Sequence, residues 1–226
     1  MRPSPRVVVF DVNETLSDMA PLRTRFEEAG APGHLMPLWF AGILRDGFAL
    51  TAAGGFAAFA DLAADGLRTL LHGLPGWSGD ADGAVRHVLA GLGTLPVHPD
   101  VPEGVRALRA AGFRLATMTN GTAATTEILL AGAGVRGHFE ALLDVQGPRT
   151  WKPAPAAYRY AADRLAVAPG EMLLVAVHPW DIDGARRAGL AAAWLRRGAT
   201  AYPAAMTAPT VAAGDLVSLA RVLTGG

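Results

Sequence analysis

The chain contains no cysteine, which excludes disulfides, zinc–thiolate centres and thiol nucleophiles. Neither sign of charge is in excess, because 20 Lys and Arg balance 20 Asp and Glu. No overall field therefore favours nucleic acid or an anionic membrane surface. No purely apolar run reaches the roughly 18 residues of a membrane-spanning helix, and the opening MRPSPRVVVF lacks a signal-peptide core followed by a cleavage site. The expectation is a soluble cytoplasmic protein with no nucleic-acid or membrane partner. Lysine is nearly absent as well: every basic residue but Lys152 is arginine. An ammonium is a compact point charge and a guanidinium a wide planar fork, so a tight carboxylate pocket accepts the first and not the second. That exception marks Lys152 for attention.

After residue 96, short apolar runs alternate with amphipathic segments. The period predicts helices over Val101–Ala111, Ala123–Ala133, Pro155–Leu165 and Ile182–Ala188, and another in the tail GDLVSLARVL. It predicts strands over Phe113–Thr119, Ala141–Val145 and Glu171–Val177, with Ala191–Leu195 as the last. Alternation of this kind builds right-handed βαβ crossovers and a parallel sheet covered on both faces, an α/β fold. A first strand, Arg6–Phe10, is separated from the series by a helical, glycine-punctuated region rich in aromatics: Trp39, Phe40, Phe48, Phe56 and Phe59. The predicted organisation is a core of residues 1–17 and 97–226, with a helical cap of residues 18–96 inserted after the first strand. The connections near Ser17–Ala20 and Leu95–Asp100 would be its hinges.

In a parallel sheet, ligands bind beyond the carboxyl ends of the strands. The polar residues that follow the predicted strands form a short set. Asp11 follows the first, Thr119 and Asn120 the second, and Lys152 lies in the loop after the third. His178, Trp180, Asp181 and Asp183 follow the fourth. An acid, a hydroxyl with an amide, the lone lysine and a further acidic pair thus converge on one edge. Trp39, Phe40, Phe48 and Trp180 are candidates to line an apolar pocket between cap and core that would bind a small alkyl substrate; Trp180, beside an acid, is the better placed, since aromatics at helical spacing in the insert are more often core.

Four segments, VVVFDVNETL, LATMTNGT, WKPAPAAY and LLVAVHPWDIDGARRAG, resemble in order the four motifs of the haloacid dehalogenase superfamily. The match covers essentially all of the core, and WKPAPAAY with the Trp-Asp pair is most similar to the type II 2-haloacid dehalogenases. The resemblance implies a Rossmann-like core with a helical cap. It also implies hydrolysis of a carbon–halogen bond through an ester on Asp11, no cofactor, and a homodimer. It casts Asp11 as nucleophile, and a carboxylate is chemically apt for attack at an electrophilic carbon. Lys152 would keep Asp11 ionised, Thr119 and Asn120 would donate to a substrate oxyanion, and Asp181 would position Lys152 or the hydrolytic water. Tyr158, a helical turn beyond Lys152, would donate from its phenol.

Asn13 stands where phosphate-transferring members of the superfamily carry an acid. An amide cannot protonate a leaving group, and a departing halide needs no proton. The alternatives are a magnesium-dependent phosphatase, with Asp11, Asn13 and Asp181 or Asp183 around Mg²⁺, and a scaffold repurposed to bind or transform a metabolite without hydrolysis. The sequence also departs from the type II pattern. Asn13 replaces a tyrosine, Glu14 a glycine, and Val177 and His178 a serine and an asparagine. The arginine that follows the cap tryptophan, here Trp39, by two residues is Ala41; Arg45, one helical turn further, is its candidate substitute in binding substrate, the alternative being an ordinary surface arginine. His178 is a candidate general base, three residues before Asp181 and five before Asp183.

Overall fold

The computed structural model describes residues 5–198 and 201–225. Four consecutive apolar residues form β1 (Val7–Phe10), the central strand of a six-stranded sheet. Its neighbours are β2 (Arg114–Thr119) and β4 (Met172–Ala176); β3 (Ala141–Asp144) lies outside β2, and β5 (Ala191–Leu195) and β6 (Val211–Ala213) lie outside β4. Every pairing is parallel, with Val9 opposite Ala116 on one side and Leu174 on the other. A strand covered on both faces has no polar face to alternate with, which is why VVVF runs unbroken.

The two faces of β1 feed separate cores. Val8 and Phe10 pack with α5 (Val101–Ala110), α6 (Ala123–Gly132) and α9 (Leu216–Thr224). Val7 and Val9 pack with α7 (Pro155–Leu165) and α8 (Pro179–Arg187). The second core continues without a break into α1 (Leu22–Glu28), α2 (Met36–Ala52), α3 (Phe59–His72) and α4 (Ala81–Leu92). These four helices lie between β1 and α5 in the chain.

The connections into and out of the helical insert run side by side. Ser17 and Val97 form an antiparallel bridge, and Asp18 N–H and His98 N–H donate to Pro96 O and Leu16 O at 2.9 Å each. The insert is also pinned at one close approach. Trp151, fully buried, donates its indole N–H to Ala57 O at 3.0 Å and stacks on Phe59. A Cβ on Gly47 of α2 would lie 2.5 Å from the Trp151 ring, so only glycine admits this contact.

Two expectations are corrected. Ala191–Leu195 is not the last strand: β6 adds to the edge beyond it, pairing Leu195 with Ala213. Its three residues, VAA, are too few to show a period. Helix α8 begins at Pro179 rather than Ile182, because proline is well suited to the first turn, where its missing N–H costs nothing.

Candidate active site

Asp11 extends β1 by one backbone bond, its N–H donating to Val175 O at 3.0 Å. The chain then turns tightly: Leu16 and Ser17 N–H both return to Val12 O, and Glu14 sits in the left-handed region at φ +60°. This turn presents the Asp11 carboxylate at the carboxyl end of the sheet, where the loops after β2, β3 and β4 also end.

Lys152 arrives from the loop between β3 and α7, and its side chain is 0% exposed. Its Nζ donates to Asp11 Oδ1 at 3.0 Å and to Asp181 Oδ2 at 2.5 Å, and lies 5.9 Å from the Trp180 ring. Asp181, on the first turn of α8, is equally buried and accepts at Oδ1 from the Tyr158 phenol at 2.5 Å. Asn120 clamps the lysine from behind: its side-chain oxygen accepts from Lys152 N–H at 2.9 Å, and its amide donates to Lys152 O at 3.2 Å. A Cβ on Gly184 would meet Pro153 at 2.5 Å, so a glycine lets α8 close against the same loop.

The other oxygen of Asp11 meets a different set. Oδ2 accepts from Thr15 Oγ1 at 2.7 Å and faces His178 Nδ1 at 3.1 Å. Thr15 Oγ1 itself accepts from Val177 N–H. His178 Nε2 faces Glu14 Oε2 at 2.9 Å. With carboxylates on both ring nitrogens, the imidazole is held as a double donor. Phe40 and Trp180 flank it, with ring centres 6.3 Å and 5.0 Å from the His178 ring, and Phe48 packs on the Trp180 ring at 4.9 Å.

Burial and charge push the two buried carboxylates apart. Burial alone would raise Asp11, but Lys152, His178 and Thr15 together hold it below the ordinary carboxylate range. Asp181 moves upward, through burial and the charge of Asp11, with Lys152 opposing. One acid therefore stays ionised while its neighbour is the readier proton acceptor, the usual sign of divided roles. Burial would lower Lys152, but Asp11 and Asp181 outweigh it and keep the ammonium charged. Tyr158 is pushed well above its ordinary range by burial and by Asp181, so it remains a donor. His178 is lowered by burial and raised further by Asp11 and Glu14, reaching about 9.

The structure gathers Asp11, Thr119, Asn120, Lys152, Tyr158, His178, Trp180 and Asp181 around one edge. Thr119 Oγ1 accepts from Gly121 N–H at 2.9 Å. Asn120 is engaged with the lysine backbone. Asn13 lies beside Gly121, its amide 3.4 Å from where a Cβ there would stand.

Two candidates lie elsewhere. The Trp39 indole is buried in the insert, donating to Ala63 O at 2.9 Å and packing edge-on to Phe26. Arg45 is 75% exposed and paired with Asp46. From this position its guanidinium cannot stand in for an arginine gripping substrate. His178 lies beside Asp11, and in the free protein both of its ring nitrogens are turned to carboxylates.

The residues considered for Mg²⁺ do not fit a divalent ion. Asp11 and Asp181 already share an ammonium, while Asp183 points away to Arg187 at 2.8 Å and to Thr207 N–H. Among the described residues no group of three or more His, Asp or Glu is arranged to hold a metal.

Three site residues were not singled out from the sequence. Thr15 lies inside the DVNETL motif, and a hydroxyl four residues past an acid in a tight turn is a usable signal. Glu14 stood out only as a departure from glycine. Arg197, which donates to Thr15 O at 2.9 Å and pairs with Asp100, carried no signal among nineteen arginines.

A haloacid dehalogenase-like hydrolase family model matches residues 5–189. The chain is 30% identical over 196 residues to (S)-2-haloacid dehalogenase of Pseudomonas sp. (strain YL), covering 84% of this chain and 82% of that one. It is 36% identical to haloacetate dehalogenase H-2 of Moraxella sp. (strain B), over 46% of each chain. A crystal structure of an L-2-haloacid dehalogenase, 29% identical, superposes with a TM-score of 0.90 over 97% of this chain and 99% of that one. The chain belongs to the haloacid dehalogenase-like hydrolases.

Proposed function

We propose that this enzyme hydrolyses the carbon–halogen bond of a small 2-haloacid through an ester on Asp11. The observation that carries the reading is the buried Asp11–Lys152–Asp181 arrangement. It holds an ionised carboxylate at the sheet edge and leaves no acid two residues further on, where Asn13 stands. An Asp11 oxygen attacks the carbon, the halide departs with the bonding electrons, and no proton is needed at that step. Water then opens the ester at the Asp11 carbonyl carbon, releasing the hydroxy acid and restoring the carboxylate. Lys152 keeps Asp11 charged before attack, and Tyr158 and Lys152 hold Asp181 in place. The Thr119 hydroxyl hydrogen is available to the substrate carboxylate.

A cavity of about 150 Å³, lined by Val12, Asn13, Phe59, Leu89, Leu92 and Gly121, suits an apolar substituent on the carbon attacked. A dry apolar cavity of about this size takes a molecule as large as benzene. The helical insert would act as a cap over the core, and the relatives named above support the substrate class. Halide release from a panel of 2-haloacids, with and without chelator, tests the reading: metal-independent release is expected. Release of phosphate from monoesters only in the presence of Mg²⁺ would replace it with a phosphatase.

A further inference from the structure

We propose that Glu14 and His178 form an acid–base pair that activates the hydrolytic water after the Asp11 ester has formed. The proposal rests on the aspartyl-ester reading above. Its basis is geometric: His178 Nδ1 is 3.1 Å from Asp11 Oδ2, and Nε2 is 2.9 Å from Glu14 Oε2. One ring nitrogen thus faces the reacting group, and a carboxylate orients the other, the arrangement that serves general bases elsewhere. Glu14 reaches this position from a left-handed backbone, which costs about 1 kcal/mol or more for a side chain of its kind. The ring is 13% exposed and the Glu14 carboxylate 42%, so the pair links a closed site to solvent. It borders a cavity of about 310 Å³ whose wall also carries Asp18, Arg23, His98 and Arg197. These, with Lys152 on the far side of Asp11, are the charged and titratable groups around the imidazole.

The chemistry has an internal trigger. In the free enzyme two carboxylates hold His178 as an imidazolium, which is no base. Esterification removes the charge of Asp11 and with it one of the two groups that stabilise the cation. His178 then gives its Nδ1 proton to solvent, the one proton released per turnover, and keeps Nε2–H on Glu14. The Nδ1 lone pair now faces the ester. Water adds to the Asp11 carbonyl carbon as its proton passes to Nδ1. The tetrahedral intermediate collapses, the bond to the product oxygen breaks, and the proton on Nδ1 goes to that oxygen. The Asp11 carboxylic acid formed protonates His178, and the starting carboxylate–imidazolium pair returns. His178 is the catalytic residue here; Glu14 is a positioning residue that acts through it.

Rapid-quench kinetics with intact-protein mass measurement test the pair on the full chain, using 2-chloropropionate as probe. In His178→Ala the burst of halide release is expected to persist, while steady-state turnover falls about 100-fold, the usual scale of general-base catalysis. The mass of the ester should accumulate on the protein. Glu14→Gln, at a more exposed position, keeps the imidazole if His178→Ala fails to fold. Losing the Glu14 charge should move the rising limb of the ester-hydrolysis pH profile to lower pH and lower its plateau, which a purely structural role would not do. Wild-type turnover with no ester in either variant, and an unmoved pH limb, overturns the pair alone. No halide release by the wild type from any 2-haloacid overturns the parent reading and the pair with it.

Discussion

On one side of Asp11, Oδ1 meets a lysine that is tied in turn to an aspartate and, through it, to a tyrosine, all sealed from water and joined by hydrogen bonds of 2.5–3.0 Å. On the other, Oδ2 meets a threonine and a histidine whose far nitrogen leads to a half-exposed glutamate. The sealed side is built from Asp11, Lys152, Tyr158 and Asp181, which lie in the segments that resemble the type II motifs. The open side is where this chain departs from them, at Glu14 and His178. A buried ion network tolerates few substitutions, because removing one partner strands a charge in a low-dielectric interior. Next to solvent, a new charged pair can be accommodated, and the open side has room for a change of mechanism.

Substitutions can break this contrast in graded steps. Asp11→Asn removes the group both sides serve, and turnover should fall by about four orders of magnitude or more, the scale lost with a nucleophile. Halide release at the wild-type rate would refute its role. Lys152→Met strands Asp11 and Asp181 on the sealed side and should destabilise the fold by about 3–5 kcal/mol in urea unfolding, with loss of activity. Gly47→Ala tests how firmly that side depends on the insert. A methyl group there overlaps the Trp151 ring next to Lys152 and should cost about 1–3 kcal/mol, read as a lower melting temperature.

The open side predicts a pH effect of opposite sign to that of a carboxylate. His178 is raised from 6.5 to about 9 by burial outweighed by Asp11 and Glu14. The folded state therefore binds its proton more tightly than the unfolded one. The stability it supplies is fully present below pH 6.5 and is lost as pH rises through about 9. The gap in melting temperature between the wild type and His178→Asn should close over that window. The smallest effect belongs to Arg45→Ala, which should leave kcat and KM unchanged and stability within about 0.5 kcal/mol, since that side chain pairs only with Asp46 at the surface.

The sheet and its order of helices were legible because a buried parallel strand is a continuous apolar run, and each such run here ends in a polar residue. The short edge strand Val211–Ala213 was not, since three residues carry no period. Asp11, Lys152 and Asp181 could be read from their place after successive strands and from the single ammonium in an arginine-rich chain. Asn120 could be read as following a strand, but its clamp on the Lys152 backbone depends on a contact 32 residues away, which no local pattern reveals. The place of Arg45 at the surface could not be read from its spacing, because one helical turn in sequence says nothing about which face of α2 meets the core. Glu14 and His178 each looked like isolated departures; only folding shows that they touch.

The most direct test is a single turnover of 2-chloropropionate by excess enzyme in oxygen-18 water, followed by mass analysis of the peptide containing Asp11 and of the hydroxy acid released. The account predicts that the heavy oxygen appears in the Asp11 carboxylate while the first product remains unlabelled. Label in the first product, with none in Asp11, would mean that water attacks the substrate carbon directly and would contradict the ester mechanism.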